Sequence, residues 1–420
     1  MIKTTIIVHK LFLTLFLIQS LNAQIEVKSI NSVPLAERGV INNPVWSRDS
    51  RTVAFEFLGI GNKKKSEKKS KVMIYRLGSD QSAKPLLKGK ESISTFDQTT
   101  DEISSRLPFW SSTTNNTLYF LYEKHQHETR YIGKYDLEYI DLPVNTDEVT
   151  RLWEYIMQPS GISEYYPISV DGREYLFIRL KDSPGLVFYT NQSDKIGYET
   201  QGRLKPDENK VIIDLKKWIK SNEPIDSFSL FKNAFKIIIC KGDDKDKTFL
   251  LGELDIEETE ADYHIVPVPK SEDGVLQEPS FNPTNSDVIA YLEVIGNKES
   301  GMFYHLLLQR LDTPENYLLS NDLYRNEKGK YTKPNSTSYV WHPNGNYIFF
   351  ISTDEKRKVA YVDLSNLQKP KIRKLETDIE FAEQLAISPD GKYLAVMTKI
   401  ASETDDTDAL GQLFIVELTL

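Results

Sequence analysis

The sequence predicts an all-β fold assembled from seven antiparallel units of four strands each, and three observations predict it. First, a short phrase recurs seven times: an apolar or aromatic head, a Ser or another polar residue, a turn rich in Asp, Asn or Gly, and then a strand-like run. The copies are WSRDSRTVAFEF from Trp46, WSSTTNNTLYFLYE from Trp110, ISVDGREYLFIRL from Ile168, FSLFKNAFKIIICK from Phe228, FNPTNSDVIAYLE from Phe281, WHPNGNYIFFIST from Trp341 and ISPDGKYLAVMTK from Ile387. Second, their heads lie 64, 58, 60, 53, 60 and 46 residues apart, a spacing that fits repeated units with loops of varying length. Third, each phrase is followed by one or two further strand-like runs.

Within a phrase the first residues read as a strand, the turn reverses the chain, and an apolar run returns beside it. Asp171-Gly172, Asn344-Gly345 and Asp390-Gly391 are the clearest turns, because glycine takes positive φ without steric cost. The third strands are expected in KVMIYRL, YIGKYDL, LVFYT, FLLGELD, YHLLLQRL, KVAYVDL and QLFIVEL. A fourth follows in six units, as AKPLLKG, EVTRLWEY, KVIIDL, YHIVPV, NYLLS and KIRKLET. The seventh unit lacks one, since QLFIVELTL runs to Leu420, and residues 25–30 are expected to supply it and so join the two chain ends. The architecture expected is a seven-bladed β-propeller of four-stranded antiparallel blades, closed by pairing the N-terminal strand with the last blade; closure of this kind removes exposed sheet edges. Six blades is the alternative, because the phrase at Phe228 lacks both proline and a glycine turn; an open set of β-sandwiches or two smaller barrels is a second.

Ahead of the repeats, Lys3 and Lys10 precede or flank the apolar run LFLTLFLI, and Leu21-Asn22-Ala23 stands before Gln24. Residues 1–23 therefore read as a cleaved secretory signal and 24–420 as one domain, a retained anchor being the alternative. The run is short for a bilayer span, no later segment competes with it, and the mature chain is expected to carry no integral membrane segment. Cys240, in KIIIC, is the only cysteine, so no internal disulfide is possible and a buried strand position is expected for it. These features fit a periplasm, or export beyond it to the outer membrane or medium; sequons at Asn115, Asn191 and Asn335 leave a eukaryotic secretory route open. Loss of Lys3 and Lys10 takes the net charge from −9 to −11, which argues against nucleic acid as a partner.

SPDG at Ser388–Gly391, followed by KYLAV and a strand ending VEL, resembles the repeat of TolB-type (WD-repeat-like) β-propellers, and HPNGNYIFF at His342 and PVWSRDSRTVAF at Pro44 are similar to it. The resemblance covers nearly the whole mature chain. It implies that the aromatic heads lie on the innermost strands and that the Asp-Gly turns cap one face and pack the blades. Relatives of the repeat include periplasmic binding scaffolds, propeller halves of prolyl-oligopeptidase-like peptidases, and polysaccharide lyases. The family's best-known member carries an extra N-terminal α/β domain, which is not expected here because the first phrase begins only about 20 residues after Gln24. Trp46, Trp110 and Trp341 are thus expected in blade packing, with an aromatic platform for sugar or peptide as the alternative.

No catalytic constellation is legible. A peptidase of the related class needs a G-x-S-x-G elbow on a separate domain; Ser163 in GISEY lacks the second glycine and reads as a loop serine. The lyase relatives hold a divalent metal with histidines and a glutamine. Of the histidines here, His125 and His127 fall in a loop, and His264, His305 and His342 fall on different units, so no metal site and no cofactor is expected. The distinctive segments are the loops between second and third strands: basic at Gly61–Lys71, mixed at Gly242–Lys247 and acidic at Ala401–Gly411. Chain direction places them on the face where each inner strand begins, which includes Asn43, Arg106, Tyr165, Tyr166, Glu278, Tyr339 and Gln384. The expectation is a weak binding face at the channel mouth, with Lys63, Lys64, Lys65, Lys68 and Lys69 as a basic loop able to meet a protein or an anionic envelope component. The function expected is a non-enzymatic, monomeric protein-binding scaffold of the cell envelope. A carbohydrate-active enzyme of the lyase type, working in the channel, is the alternative.

Overall fold

A computed structural model describes residues 24–59, 70–92, 100–124, 129–137, 142–156, 162–170, 173–180, 186–190, 213–214, 225–231, 236–242, 247–253, 263–297, 301–313, 315–324, 339–367, 369–400 and 410–420. Among them the fold is all-β, with one short 3-10 turn at Thr146–Glu148 and no α-helix. The strands form six four-stranded antiparallel sheets and one of five strands, an arrangement consistent with a β-propeller.

Each sheet is a meander read from its inner strand outward. The first holds Gly39–Trp46, Thr52–Gly59, Ser70–Arg76 and Lys84–Pro85; the third Ile162–Val170, Arg173–Leu180, Leu186–Thr190 and Ile213–Asp214. The fourth holds Ile225–Phe231, Lys236–Lys241, Thr248–Glu253 and Tyr263–Val266, and the fifth Val275–Asn282, Asn285–Asn297, Gly301–Arg310 and Asn316–Ser320. The sixth holds Tyr339–Trp341, Tyr347–Ile351, Val359–Asp363 and Lys371–Lys374. The phrase at Phe228, without proline or glycine turn, does form its hairpin, with Phe228 opposite Ile239.

The second sheet departs from the expected four strands. Beside Thr100–Trp110, Thr117–Lys124, Thr129–Asp136 and Thr150–Ile156 it carries Lys90–Ser92, paired with the start of its inner strand. The polar segments KES and TDE hold this extra edge by backbone pairing and by the Lys90–Glu102 ion pair at 3.8 Å; neither contributes an apolar residue that the hydrophobic pattern would reveal.

In the seventh sheet Ala382–Ile387, Tyr393–Ile400 and Leu410–Thr419 are joined by Glu26–Ser32, antiparallel to Leu410–Thr419 with Ile30 opposite Val416. This N-terminal strand is mostly exposed along its length but pinned at both ends. Ile25 and Val33 are buried, and the Val33 N–H donates to the Leu413 carbonyl. Between them Lys28 Nζ sits 2.6 Å from Glu417, and that bond raises the Lys28 pKa and lowers the Glu417 carboxyl.

The cores lie between sheets rather than within one. Strand side chains alternate, so Val53, Phe55 and Phe57 join Met397, Leu413 and Ile415 of the seventh sheet, whereas Ala54, Val72 and Ile74 join Leu118, Phe120 and Tyr122 of the second. Both faces are thus apolar, which explains the near-continuous hydrophobic runs of the middle strands. Each such side chain contributes on the order of 1.5–3 kcal/mol by leaving water. Similar clusters join fourth to fifth, fifth to sixth and sixth to seventh sheets. Tyr165 of the third sheet meets Phe109 of the second edge-on at 5.1 Å. Cys240 is buried on its strand with its thiol toward the Leu276 carbonyl, as its apolar surroundings predict.

The phrase residues explain the turns. Ser47 and Ser388 each donate to the Asp two residues on (2.6 and 2.7 Å) and accept the N–H that restarts the next strand, from Thr52 and Tyr393 (2.9 Å each). Asn282 and His342 occupy the same place with longer side chains, and reach across to the next sheet as well. Asn282 Nδ2 donates to the Gly345 carbonyl at 2.9 Å, and His342 Nε2 lies 3.2 Å from the Gly391 carbonyl. A carbonyl only accepts, so Nε2 carries the proton, leaving His342 Nδ1 to accept from the Asn344 N–H. Gly345 and Gly391 both sit at φ +75, and a Cβ on either would overlap the side chain reaching in from the preceding sheet.

Candidate binding face

The residues expected at the channel mouth gather at the other end of the sheets, where the inner strands carry β-bulges. The ladder shifts between Asn42 and Val45, Arg106 and Phe109, and Gln277 and Ser280, and in each gap a residue with positive φ precedes a proline: Asn43 at 51°, Leu107 at 54° and Glu278 at 47°. A residue before proline is ordinarily held in the extended region, so these positions are strained. The neighbouring sheets supply the bonds that hold them. The Asn43 N–H donates to Gln384 Oε1 of the seventh sheet at 2.7 Å, and the Leu107 N–H to Glu56 Oε1 of the first. On the other side Tyr165 donates its hydroxyl to the Leu107 carbonyl and Tyr339 to the Glu278 carbonyl, each at 2.6 Å. Tyr339 also donates to Ala290 O at 2.8 Å.

Tyr165 and Tyr339 were expected as contact residues, yet they are 0% and 1% exposed, and burial pushes both phenols well above their ordinary pKa. Their hydroxyls stitch one sheet to the next instead of facing a ligand. Asn43 is buried likewise, while Glu278 and Gln384 are half-buried. Arg106, also half-buried, pairs with Glu123 of its own sheet at 3.2 Å, with its Nε enclosed and without a bond to any described residue. Tyr166 lies on Ile162–Val170 opposite Phe177, and Ser163, read as a loop serine, lies on the same strand. The signal for the bulges was present in the sequence: Pro44, Pro108 and Pro279 each stand two residues ahead of an aromatic head.

Lys63, Lys64, Lys65, Lys68 and Lys69 lie outside the described residues, as do His125 and His127, the centre of the mixed loop and most of the acidic one. Lys71, at the described edge of the basic loop, bonds Glu37 at 2.9 Å with both groups exposed. The remaining histidines stand apart: His264 is exposed on the outer strand of the fourth sheet, His305 lies 3.9 Å from Glu293, and His342 is held in its turn. Among the described residues no three His, Cys, Asp or Glu side chains are grouped to hold a metal.

Trp46 and Trp110 take the packing role, their indoles donating to the Ala386 and Val45 carbonyls of the preceding sheet at 2.9 and 3.1 Å. Trp341 is equally buried, but its Nε1 has no hydrogen-bond partner among the described residues.

One cluster at this end escaped the repeat pattern. Arg357, in the turn before Val359–Asp363, and Phe381, just before the inner strand of the seventh sheet, both have positive φ (46° and 59°) and are tied through backbone bonds from Phe381 N to Lys356 O and from Ala382 N to Arg357 O. The Arg357 guanidinium lies over the rings of Tyr324 (4.8 Å) and Phe381 (5.5 Å), donates to the Tyr324 hydroxyl at 2.8 Å and pairs with Glu383. Burial, and then the Glu383 charge, raise the Tyr324 phenol against the opposing pull of Arg357. Glu383 is buried, but Phe381 is 40% exposed. Aromatic rings around a guanidinium, with an apolar edge left in solvent, are the composition of protein-contact hot spots.

No family model matches the chain, and no curated protein matches it in sequence. Solved structures do match. A chain of the Mitotic Checkpoint Complex aligns at 12% identity and TM-score 0.48, over 93% of this chain and 95% of that one. The Cps50 (Swd1) β-propeller domain of Myceliophteria thermophila aligns at 12% and 0.49, over 93% and 99%. A puromycin-hydrolysing peptidase of Mycobacterium tuberculosis aligns at 11% and 0.53, over 90% of this chain and 53% of that chain, so the chain spans about half the peptidase's length. At such identities the likeness is one of fold. No described helix is long and apolar enough to cross a membrane.

Proposed function

We propose that the chain is an exported seven-bladed, TolB-like β-propeller that acts as a non-enzymatic protein-binding scaffold in the cell envelope. In this reading residues 1–23 are removed as a signal, 24–420 form one domain in the periplasm, and Glu26–Ser32 on Leu410–Thr419 closes the ring. Support for the ring comes from the interlocking cores that run from the fourth sheet through the fifth, sixth, seventh and first to the second. Support for export rests on the charged and apolar pattern of the first 23 residues alone.

The observation that carries the binding role is how the polar groups at the loop end are used. Tyr165, Tyr339, Glu56 and Gln384 are spent on backbone groups of adjacent sheets, so they scaffold the face. Among the described residues that end leaves Phe381 exposed with Arg357 behind it. Such a face recognises a protein surface by aromatic and guanidinium contact, with charge steering the encounter.

The test is capture of the partner from an envelope fraction by the purified mature protein. Substituting Lys63, Lys64, Lys65, Lys68 and Lys69 with Gln is expected to slow capture most at low salt, and Phe381→Ala to weaken it by roughly tenfold, about 1.4 kcal/mol. Unaltered capture by both variants would return the loops and Phe381 to ordinary solvated surface.

A further inference from the structure

Gln24 is the first described residue, and what it touches is specific. Its side-chain carbonyl accepts a hydrogen bond from Arg373 Nη1 at 2.9 Å, on the outer strand of the sixth sheet. The next residue, Ile25, is 4% exposed and donates its N–H to the Tyr361 hydroxyl at 3.2 Å. The start of the N-terminal strand is therefore docked across two sheets, with Gln24 itself exposed at the rim. On the strand it faces, Arg373 lies opposite Tyr361 on the side toward the seventh sheet, whereas Lys374, opposite Ala360 and paired with Asp354 at 2.7 Å, lies on the other side, so the cation beside a new chain end would be Arg373.

We propose that Gln24, once freed by cleavage after Ala23, closes to pyroglutamate (5-oxoproline), and that the mature protein carries this lactam seated on Arg373. The inference rests on the export reading given above. The α-amino nitrogen attacks the side-chain amide carbon, the N–Cδ bond forms, the Cδ–Nε2 bond breaks, and the Nε2 group leaves as ammonia with a proton from the α-nitrogen. No oxidant, reductant or second substrate is needed. Both reacting groups belong to one residue, so the ring closes at the high effective concentration of an intramolecular reaction. The exposure of Gln24 leaves the amide open to a cyclising enzyme.

The seat explains why the lactam suits this position. A free chain end would be an ammonium for most of its population below a pH of about 8, and would belong to the residue that the Arg373 guanidinium bonds. The lactam is neutral, and it retains the carbonyl oxygen that Arg373 binds. Cyclisation thus removes the positive charge beside Arg373 at the start of this strand while leaving the carbonyl that Arg373 bonds.

Intact mass and N-terminal peptide mass of the protein, made with its own leader and recovered fresh from the envelope fraction, test this directly. The expected mass is that of residues 24–420 less one ammonia. A chain beginning at Gln24 with its ammonia intact overturns the proposal while sparing the export reading, whereas a chain beginning at any other residue overturns that reading and this one with it. The role of the seat has its own test. Gln24→Ala leaves a free amine, and is expected to melt about 1–3 °C below the cyclised wild type. That gap should shrink when Arg373→Ala is added to both. A gap that is absent, or that is untouched by Arg373→Ala, would overturn the role assigned to Arg373.

Discussion

The two ends of the sheets solve one problem with different chemistry. At the turn end, neighbouring sheets are joined by residues of the repeated phrase itself: Asn282 to Gly345, His342 to Gly391, the Asp390 N–H to Ser50 Oγ, and Arg48 to the Thr113 carbonyl. The backbone there is the more relaxed of the two, because Gly345 and Gly391 take positive φ without steric cost, with Ser50 at 61° the non-glycine among these joints. At the loop end the joints are made to strained, non-glycine bulge residues, and the partners are Tyr, Glu and Gln side chains from outside the phrase. Strain is concentrated at the loop end, where three bulges carry it, whereas at the turn end Ser50 alone takes positive φ without being glycine, and that contrast indicates where sequence is free to change. The turns hold the sheets at a fixed spacing, and the bulges shape the end that carries the variable loops.

The largest effect is expected at the turn end. Gly391→Ala places a side chain at φ +75 and drives its Cβ into the buried His342 ring, for a combined loss of about 2–4 kcal/mol in urea unfolding. Gly78 has a similar φ of 72° but nothing within 4 Å of its Cβ, so Gly78→Ala should cost only the backbone part, about 1 kcal/mol. Equal losses for the two would show that close approach of the sheets adds nothing.

Tyr339→Phe probes the loop end. It withdraws a hydroxyl from the Glu278 and Ala290 carbonyls in a buried joint, and is expected to cost about 1–3 kcal/mol. A loss exceeding that of Gly391→Ala would invert the comparison and make the bulges the principal joints.

How much of this was legible follows from the same contrast. Strand positions, hairpins and the pairing of Glu26–Ser32 with the last strand were readable because alternation and turn residues act over a few neighbours. The fate of Tyr165 and Tyr339 was not, since a tyrosine on an inner strand reads alike whether its hydroxyl meets solvent or a carbonyl 58 or 61 residues earlier in the chain. The Arg357–Phe381 cluster left no signal at all, because it joins a turn of one sheet to the approach of the next and does not repeat among the described residues. The extra strand Lys90–Ser92 was hidden by its polar composition.

The smallest effect separates the ends by pH. Partial burial works against the Asp390 carboxylate, but the Ser388 hydroxyl, the Lys392 N–H and the Ser50 hydroxyl outweigh it and hold its pKa below the ordinary 3.8. A depressed folded-state pKa adds stability that is fully present above the unfolded value and is lost as pH falls through the folded one. Asp390→Asn keeps a side chain that tolerates this turn, as Asn344-Gly345 does in the sixth sheet, but removes the charge. Wild type should therefore exceed the variant by less than about 1 kcal/mol at pH 6, because the group is partly solvated, and the gap should close as pH drops below 3.8. Unfolding midpoints taken from pH 6 to pH 3 read this out. Parallel profiles would mean that the Asp390 charge plays no part in the turn-end joint, leaving neutral hydrogen bonds and the fit of Gly391 against His342 to hold it.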